Sequence, residues 1–136
     1  MDSKIYRVDN VLDLAKWLGK TEGELPVGEE YINRDGNLTR ISVDGSLFGV
    51  SAEATVFPDV ERPVQSVYIN TRDMLYEECR DKLTELYGAP EYEWEEPFVR
   101  VKGGAVRRAV FKPEGYKLVL ASASERDYIE IDLSVK

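Results

Sequence analysis

Histidine is absent from this chain. That removes the side chain that titrates nearest neutral pH, the commonest nitrogen ligand for metals, and the base of the usual catalytic triads. Zinc and copper sites are correspondingly disfavoured, and no metal or cofactor is expected. Cysteine occurs once, at Cys79, so no disulfide can close within the chain, in keeping with a reducing compartment. No apolar run approaches the ~20 residues that a spanning helix requires. The opening Met-Asp-Ser-Lys-Ile-Tyr-Arg lacks the apolar stretch of a signal peptide, and the expected location is cytoplasmic. The glycines build no phosphate loop: Gly103-Gly104 is not followed by the lysine of that motif, and no G-x-G-x-x-G follows a strand. No catalytic residue is assigned.

What is present is charge and apolar periodicity. The 136 residues include 26 acidic against 18 basic ones, a net charge of −8. Such a balance repels phosphate backbones and anionic lipid, so nucleic acid and membrane surfaces are poor partners and a basic protein suits it better. The plainer reading is that the charge serves solubility. The 43% apolar content supports one folded domain spanning residues 1–136, because a chain this long buries roughly two thirds of its unfolded surface.

Two helices are predicted. The first runs from about Val11 to Leu18, capped by Asn10 and stopped by Gly19, with Val11, Leu14, Ala15 and Leu18 on one stripe. The second runs from about Arg72 to Tyr87, capped by Asn70 or Thr71. Its face carries Leu75, Cys79, Leu83, Leu86 and Tyr87, and Gly88 with Pro90 ends it. On that stripe Cys79 reads as core rather than as a nucleophile.

The remainder reads as strands and tight turns. Asp35-Gly36 and Asp44-Gly45 look like hairpin dipeptides. Strands are expected over Leu38–Val43, Leu47–Phe57 and Val64–Ile69, then Glu91–Trp94, Phe98–Lys102, Ala105–Phe111, Tyr116–Ala121 and Tyr128–Leu133. Turns are expected at Gly103-Gly104, at Pro113-Glu114-Gly115 and over Ser122–Arg126. The fold class is therefore α+β, an antiparallel sheet with two main helices.

A helix, a glycine stop and about four antiparallel strands occur twice, over residues 10–69 and 70–133. Asn10 and Asp13 correspond to Asn70 and Asp73, and Trp17-Leu18-Gly19 to Leu86-Tyr87-Gly88. Tandem duplication and coincidence both account for this. The order resembles the β-lactamase-inhibitor-protein fold, a single unit of which is shared by small outer-membrane assembly lipoproteins. Those families are exported, whereas the expectation here is of no export signal and no lipid-attachment cysteine near the N-terminus, and the single cysteine forms no pair. The resemblance implies a binding surface made by the sheet and no catalysis.

Two charged groupings are candidate binding residues. Glu91, Glu93 and Glu95 alternate with Tyr92 and Trp94, so an extended strand turns the glutamates one way and the aromatics the other. This is a hard-cation site, an acidic landing strip for a basic partner, or an edge strand protected by charge. Arg100, Lys102, Arg107 and Arg108 gather basic charge on the strands that follow. They either hold an anion or pair across strands with the acidic stretch. The leading expectation is a non-enzymatic binding domain that uses the solvent face of its sheet. The alternatives are an immunity-type protein that neutralises a basic toxin, and a small enzyme working with Asp/Glu and Arg/Lys.

Overall fold

A computed structural model describes residues 4–34, 38–97, 105–123 and 129–135. Its strands are β1 (Tyr6–Asn10), β2 (Ile32–Asn33), β3 (Arg40–Leu47), β4 (Val50–Val56), β5 (Ser66–Thr71), β6 (Tyr92–Pro97), β7 (Ala105–Phe111), β8 (Tyr116–Ala123) and β9 (Ile129–Val135). One α-helix, α1 (Tyr76–Tyr87), and three 3-10 segments, Val11–Trp17, Glu22–Glu24 and Glu29–Tyr31, join them. The class is α+β, as expected.

All nine strands belong to one sheet, in the order β1-β3-β4-β5-β9-β8-β7-β6, with β2 beside β3. Every pairing is antiparallel except β1 with β3. The sheet has two halves of like topology. The meander β3-β4-β5 meets the meander β7-β8-β9 at its centre, where β5 and β9 pair from Ser66↔Ser134 to Thr71↔Ile129.

Alternation sets one face aside for the core. Ile41, Val43 and Leu47 on β3, Ala52, Ala54 and Val56 on β4, and Val67 and Ile69 on β5 are all buried. So are Ile129, Ile131 and Leu133 on β9, Leu118 and Leu120 on β8, and Ala109 and Phe111 on β7. The ladder aligns them row by row. The Val11–Trp17 segment covers β3 to β5, and α1 covers β7 and β8 on the same face. Each Val, Leu, Ile or Phe side chain so buried stabilises by about 1.5–3 kcal/mol. The opposite face carries no helix among the described residues.

The structure corrects several expectations. Val11–Trp17 is 3-10 rather than α-helical. Its buried residues are Val11, Leu12, Leu14 and Trp17; three of them, Val11, Leu14 and Trp17, recur at the period of that helix, while Ala15 and Leu18 are only half-buried. Asn10 does cap it, accepting the Leu12 N–H at 3.0 Å, and Gly19 does sit at positive φ, +82°. Helix α1 begins at Tyr76, not Arg72. Asn70 and Thr71 lie in β5 and do not cap it. Thr71 Oγ1 instead donates to the Ser51 carbonyl at 2.6 Å and accepts from the Asp73 N–H, fixing the turn that leads to the helix. The buried face of α1 is Tyr76, Cys79 and Leu83, whereas Leu75 and Leu86 are exposed.

Asp44-Gly45 is no turn but the interior of β3, paired with Glu53 and Ala52. The hairpin closes at Phe48-Gly49, with φ of +50° and +89°, between the paired Leu47 and Val50. Positive φ at both positions is what a type I′ two-residue hairpin loop needs. Gly45 serves close approach: a Cβ there would stand 2.7 Å from the Val8 carbonyl oxygen. Ser122 is in β8 rather than a turn. The expected turns at Asp35-Gly36 and Gly103-Gly104, the strand over 98–102 and most of the Ser122–Arg126 turn lie outside the described residues.

Candidate functional site

Strand β6 ends the sheet and has one neighbour, β7, among the described residues. The two faces at this end differ in chemistry because the sequence alternates Glu and aromatic residues. Glu93 and Glu95 pair in register with Ala109 and Arg107, placing them on the helix side. Tyr92 and Trp94 pair with Val110 and Arg108 and stand on the helix-free side. The expected division is therefore observed for Glu93 and Glu95 against Tyr92 and Trp94, whereas Glu91 precedes the strand.

On the helix side, α1 and the β6–β7 edge enclose a cleft of about 380 Å³ lined by Tyr76, Glu77, Arg80, Asp81, Glu93, Glu95 and Arg107. Arg80 donates twice to Glu93, from Nε to Oε1 and from Nη2 to Oε2 at 2.9 Å, and also meets Asp81 at 3.3 Å. Arg107 Nη1 donates to Glu77 Oε1 at 2.5 Å, and Arg107 Nε lies 3.5 Å from Glu95 Oε2. The Arg80 guanidinium holds the Glu93 carboxyl below its usual range, and Glu93 in turn raises Arg80. Burial, reinforced by Glu93, pushes the Tyr76 phenol up to about 12, so its proton stays in place at neutral pH.

The helix-free side presents aromatic and apolar side chains around carboxylates. One cross-strand row reads Tyr92, Val110, Val119, Asp132 and Tyr68, and the next reads Trp94, Arg108, Ala121, Glu130 and Asn70. Four strand spacings of about 4.8 Å give this patch a width of ~19 Å. Tyr92 is 59% exposed and Trp94 39%. At the far end Tyr68 packs edge-on against Phe57, ring centres 5.9 Å apart, and both stay exposed. Asp132 sits half-buried between Val119 and Tyr68. Burial, with Glu130 beside it, holds its carboxyl above the ordinary range, against the opposing pull of Arg108.

The sequence-derived candidates thus divide among several places. Glu91 pairs with Lys112 at 3.0 Å and its N–H donates to the Val110 carbonyl at 2.7 Å. Glu93, Glu95 and Arg107 meet in the cleft. Tyr92, Trp94 and Arg108 share the opposite face. Arg100 and Lys102 lie outside the described residues. The cross-strand reading of the basic group holds for Arg107, which meets Glu95 across β6–β7.

Sequence reasoning missed the contribution of α1, namely Tyr76, Glu77, Arg80 and Asp81. The i, i+4 spacing of Tyr76 with Arg80 and of Glu77 with Asp81, beside the buried stripe, was the available signal. It also missed Tyr68 and Asp132, which fall out of phase with the buried Val67, Ile69, Ile131 and Leu133.

Among the described residues no group of three or more Cys, Asp and Glu stands close enough to share a metal ion, and no helix is long and apolar enough to cross a membrane. No protein-family model, curated protein or solved structure matches this chain.

Proposed function

We propose that this chain is a non-enzymatic binding domain that engages a basic protein through the helix-free face of its sheet. The observation that carries the reading is the patch from Tyr92 and Trp94 to Tyr68 and Phe57, four exposed aromatic residues flanking Asp132. Exposed aromatic residues of this kind are the usual anchors of protein interfaces. A width of ~19 Å suits the roughly 800 Å² that each partner contributes to a standard interface. The chemistry of Asp132 suits a cationic partner: Glu130 repels its charge and Arg108 only partly compensates, and an incoming Lys or Arg would add to that compensation. The net charge of −8 adds long-range attraction for the same class of partner.

The element order, like that of the β-lactamase-inhibitor-protein fold, supports a sheet-borne binding surface. We read the two halves of the sheet as a tandem pair of helix-plus-meander units. An immunity-type role is the form this function takes when the basic partner is a toxin encoded nearby.

Capture from a cell extract on the immobilised chain tests the proposal. The expected catch is a basic protein, retained at low salt, weakened as salt screens the encounter, and lost with the Tyr92→Ser/Trp94→Ser double variant. A catch indifferent to that variant and to salt would contradict it. Stabilisation by a small molecule in a thermal-shift screen, with no protein retained, would instead favour an enzyme working with Asp/Glu and Arg/Lys.

A further inference from the structure

The cleft on the other side of β6 contains an unsatisfied polar atom. Tyr76 is 7% exposed, and its buried hydroxyl makes no hydrogen bond of full geometry, although the Glu93 carboxylate is near enough to act on it. An unpaired buried hydroxyl costs stability and is uncommon in native structures. This one is surrounded by charge from Glu93, Arg80 and Arg107. The seven lining residues include four carboxylates, of Glu77, Asp81, Glu93 and Glu95, against the guanidinium groups of Arg80 and Arg107. The difference, four minus two, leaves two negative charges in excess.

Apart from the Tyr76 O–H itself, the shortage in this cleft is of donors. Each ionised carboxylate offers about four acceptor positions, and the phenolic oxygen adds more. Both arginines are already engaged with these carboxylates. An anion would meet net repulsion here. A cation bearing N–H groups would supply donors to the carboxylates and to the Tyr76 oxygen together. The Tyr76 ring already accepts a cation, with the Arg107 guanidinium carbon 6.0 Å from its centre. A volume of about 380 Å³ lies at the small end of ligand sites.

We propose that the cleft between α1 and the β6–β7 edge binds a guanidinium or primary ammonium group, seated between Glu93 and Glu95 against Tyr76. The group arrives either on a free diamine-like molecule or as a Lys or Arg side chain. Strand β6 favours no source by itself, but it offers a route for the second. An extended segment pairing with its outer edge would place alternate side chains on the helix side, at the cleft, and the others beside Tyr92 and Trp94. The site lies on the opposite face from the aromatic patch and stands or falls separately from it.

Amide NMR titrations of the full chain test this with three probes: agmatine, a ten-residue peptide alternating Arg and Val, and propionate. Saturable shifts at Tyr76, Arg80 and Glu93 with a cationic probe are expected. Tyr76→Phe, which keeps the ring, should weaken that binding at least ~5-fold, the equivalent of one hydrogen bond, without lowering the melting temperature. Glu93→Gln should weaken it as well. Agmatine binding as tightly as the peptide identifies a small amine as the ligand, and a peptide bound at least ~10-fold tighter identifies a protein side chain. The proposal is overturned if neither cation gives a saturable shift, if Tyr76→Phe binds like the parent chain, or if propionate occupies the cleft instead.

Discussion

Arg80 on α1 and Glu93 on β6 form a two-bond ion pair that ties the helix to the last strand of the sheet. The pair spans the descent from Gly88, at φ +86°, through the loop that returns the chain to the sheet edge. Because Arg80 depresses the Glu93 pKa, the pair has a definite pH signature. The folded value lies below the unfolded one, so the stabilisation is fully present above the unfolded pKa near 4.5. It is lost as pH falls through the folded value. Both side chains are about one-third exposed, which limits the pair to at most about 1 kcal/mol. Denaturant melts of the parent chain and of Glu93→Gln should therefore differ at neutral pH and converge in acid. A difference that grows on acidification would contradict the assignment.

The two leucines of α1 should separate cleanly. Leu83 is fully buried and Leu86 is 55% exposed. Leu83→Ala should cost about 2–5 kcal/mol by opening a cavity under the helix, and Leu86→Ala within about 0.5 kcal/mol of nothing. Equal losses in urea denaturation would mean that the helix is rotated from its observed setting.

Cys79 should be inert. Burial, with Glu78 adding repulsion, pushes its thiol up to about 12, and the side chain has no exposed surface. At pH 7.5 the nucleophilic thiolate is a trace species. Modification by a thiol reagent should be slow in the native protein and should speed up by orders of magnitude in denaturant. Native labelling at the denatured rate would be incompatible with this packing.

Where the sequence carries a simple period, it is legible. Ile129, Ile131 and Leu133 alternate into the core, Ala105–Phe111 is a strand over its full expected span, and Gly115 closes the turn after it at φ +93°. What was hidden depends on tertiary approach. Tyr6–Asn10 alternates only two apolar residues, Tyr6 and Val8, with Arg7 and Asp9, too short a pattern to stand out, and its place in the sheet comes from parallel pairing with β3. Gly45 reads as a turn residue, yet its role is set by Val8 and Val11, which press on it from above. In Val11–Trp17 the apolar residues fit both a 3.6 and a 3.0 period, and packing against β3 to β5 selected the second. At the cleft, the glutamates of β6 could be named from alternation. Their partners on α1 could not, because the position of α1 over β6 is a property of the whole sheet.

Gly45 and Gly49 therefore fail for different reasons when changed to alanine. Gly45→Ala drives a Cβ to 2.7 Å from the Val8 carbonyl oxygen. It should cost about 1–3 kcal/mol and raise amide exchange selectively in Tyr6–Asn10. Gly49→Ala meets open space but must hold φ near +89°, at a cost of about 1–2 kcal/mol, with increased exchange in the β3–β4 hairpin. Identical exchange patterns for the two variants would refute this distinction.

The central claim is that the helix-free face is where a basic protein docks. Photo-crosslinking tests it most directly, with a benzophenone side chain placed in turn at Tyr92, at Tyr68 and at Leu86. The first two positions stand on the helix-free face, and the third is exposed on α1 on the other side. In a cell extract at low salt, Tyr92 and Tyr68 should yield the same discrete adduct with a basic protein, diminished as salt is raised, and Leu86 should not yield it. An adduct formed from Leu86 alone, or equally from all three positions, would contradict the account.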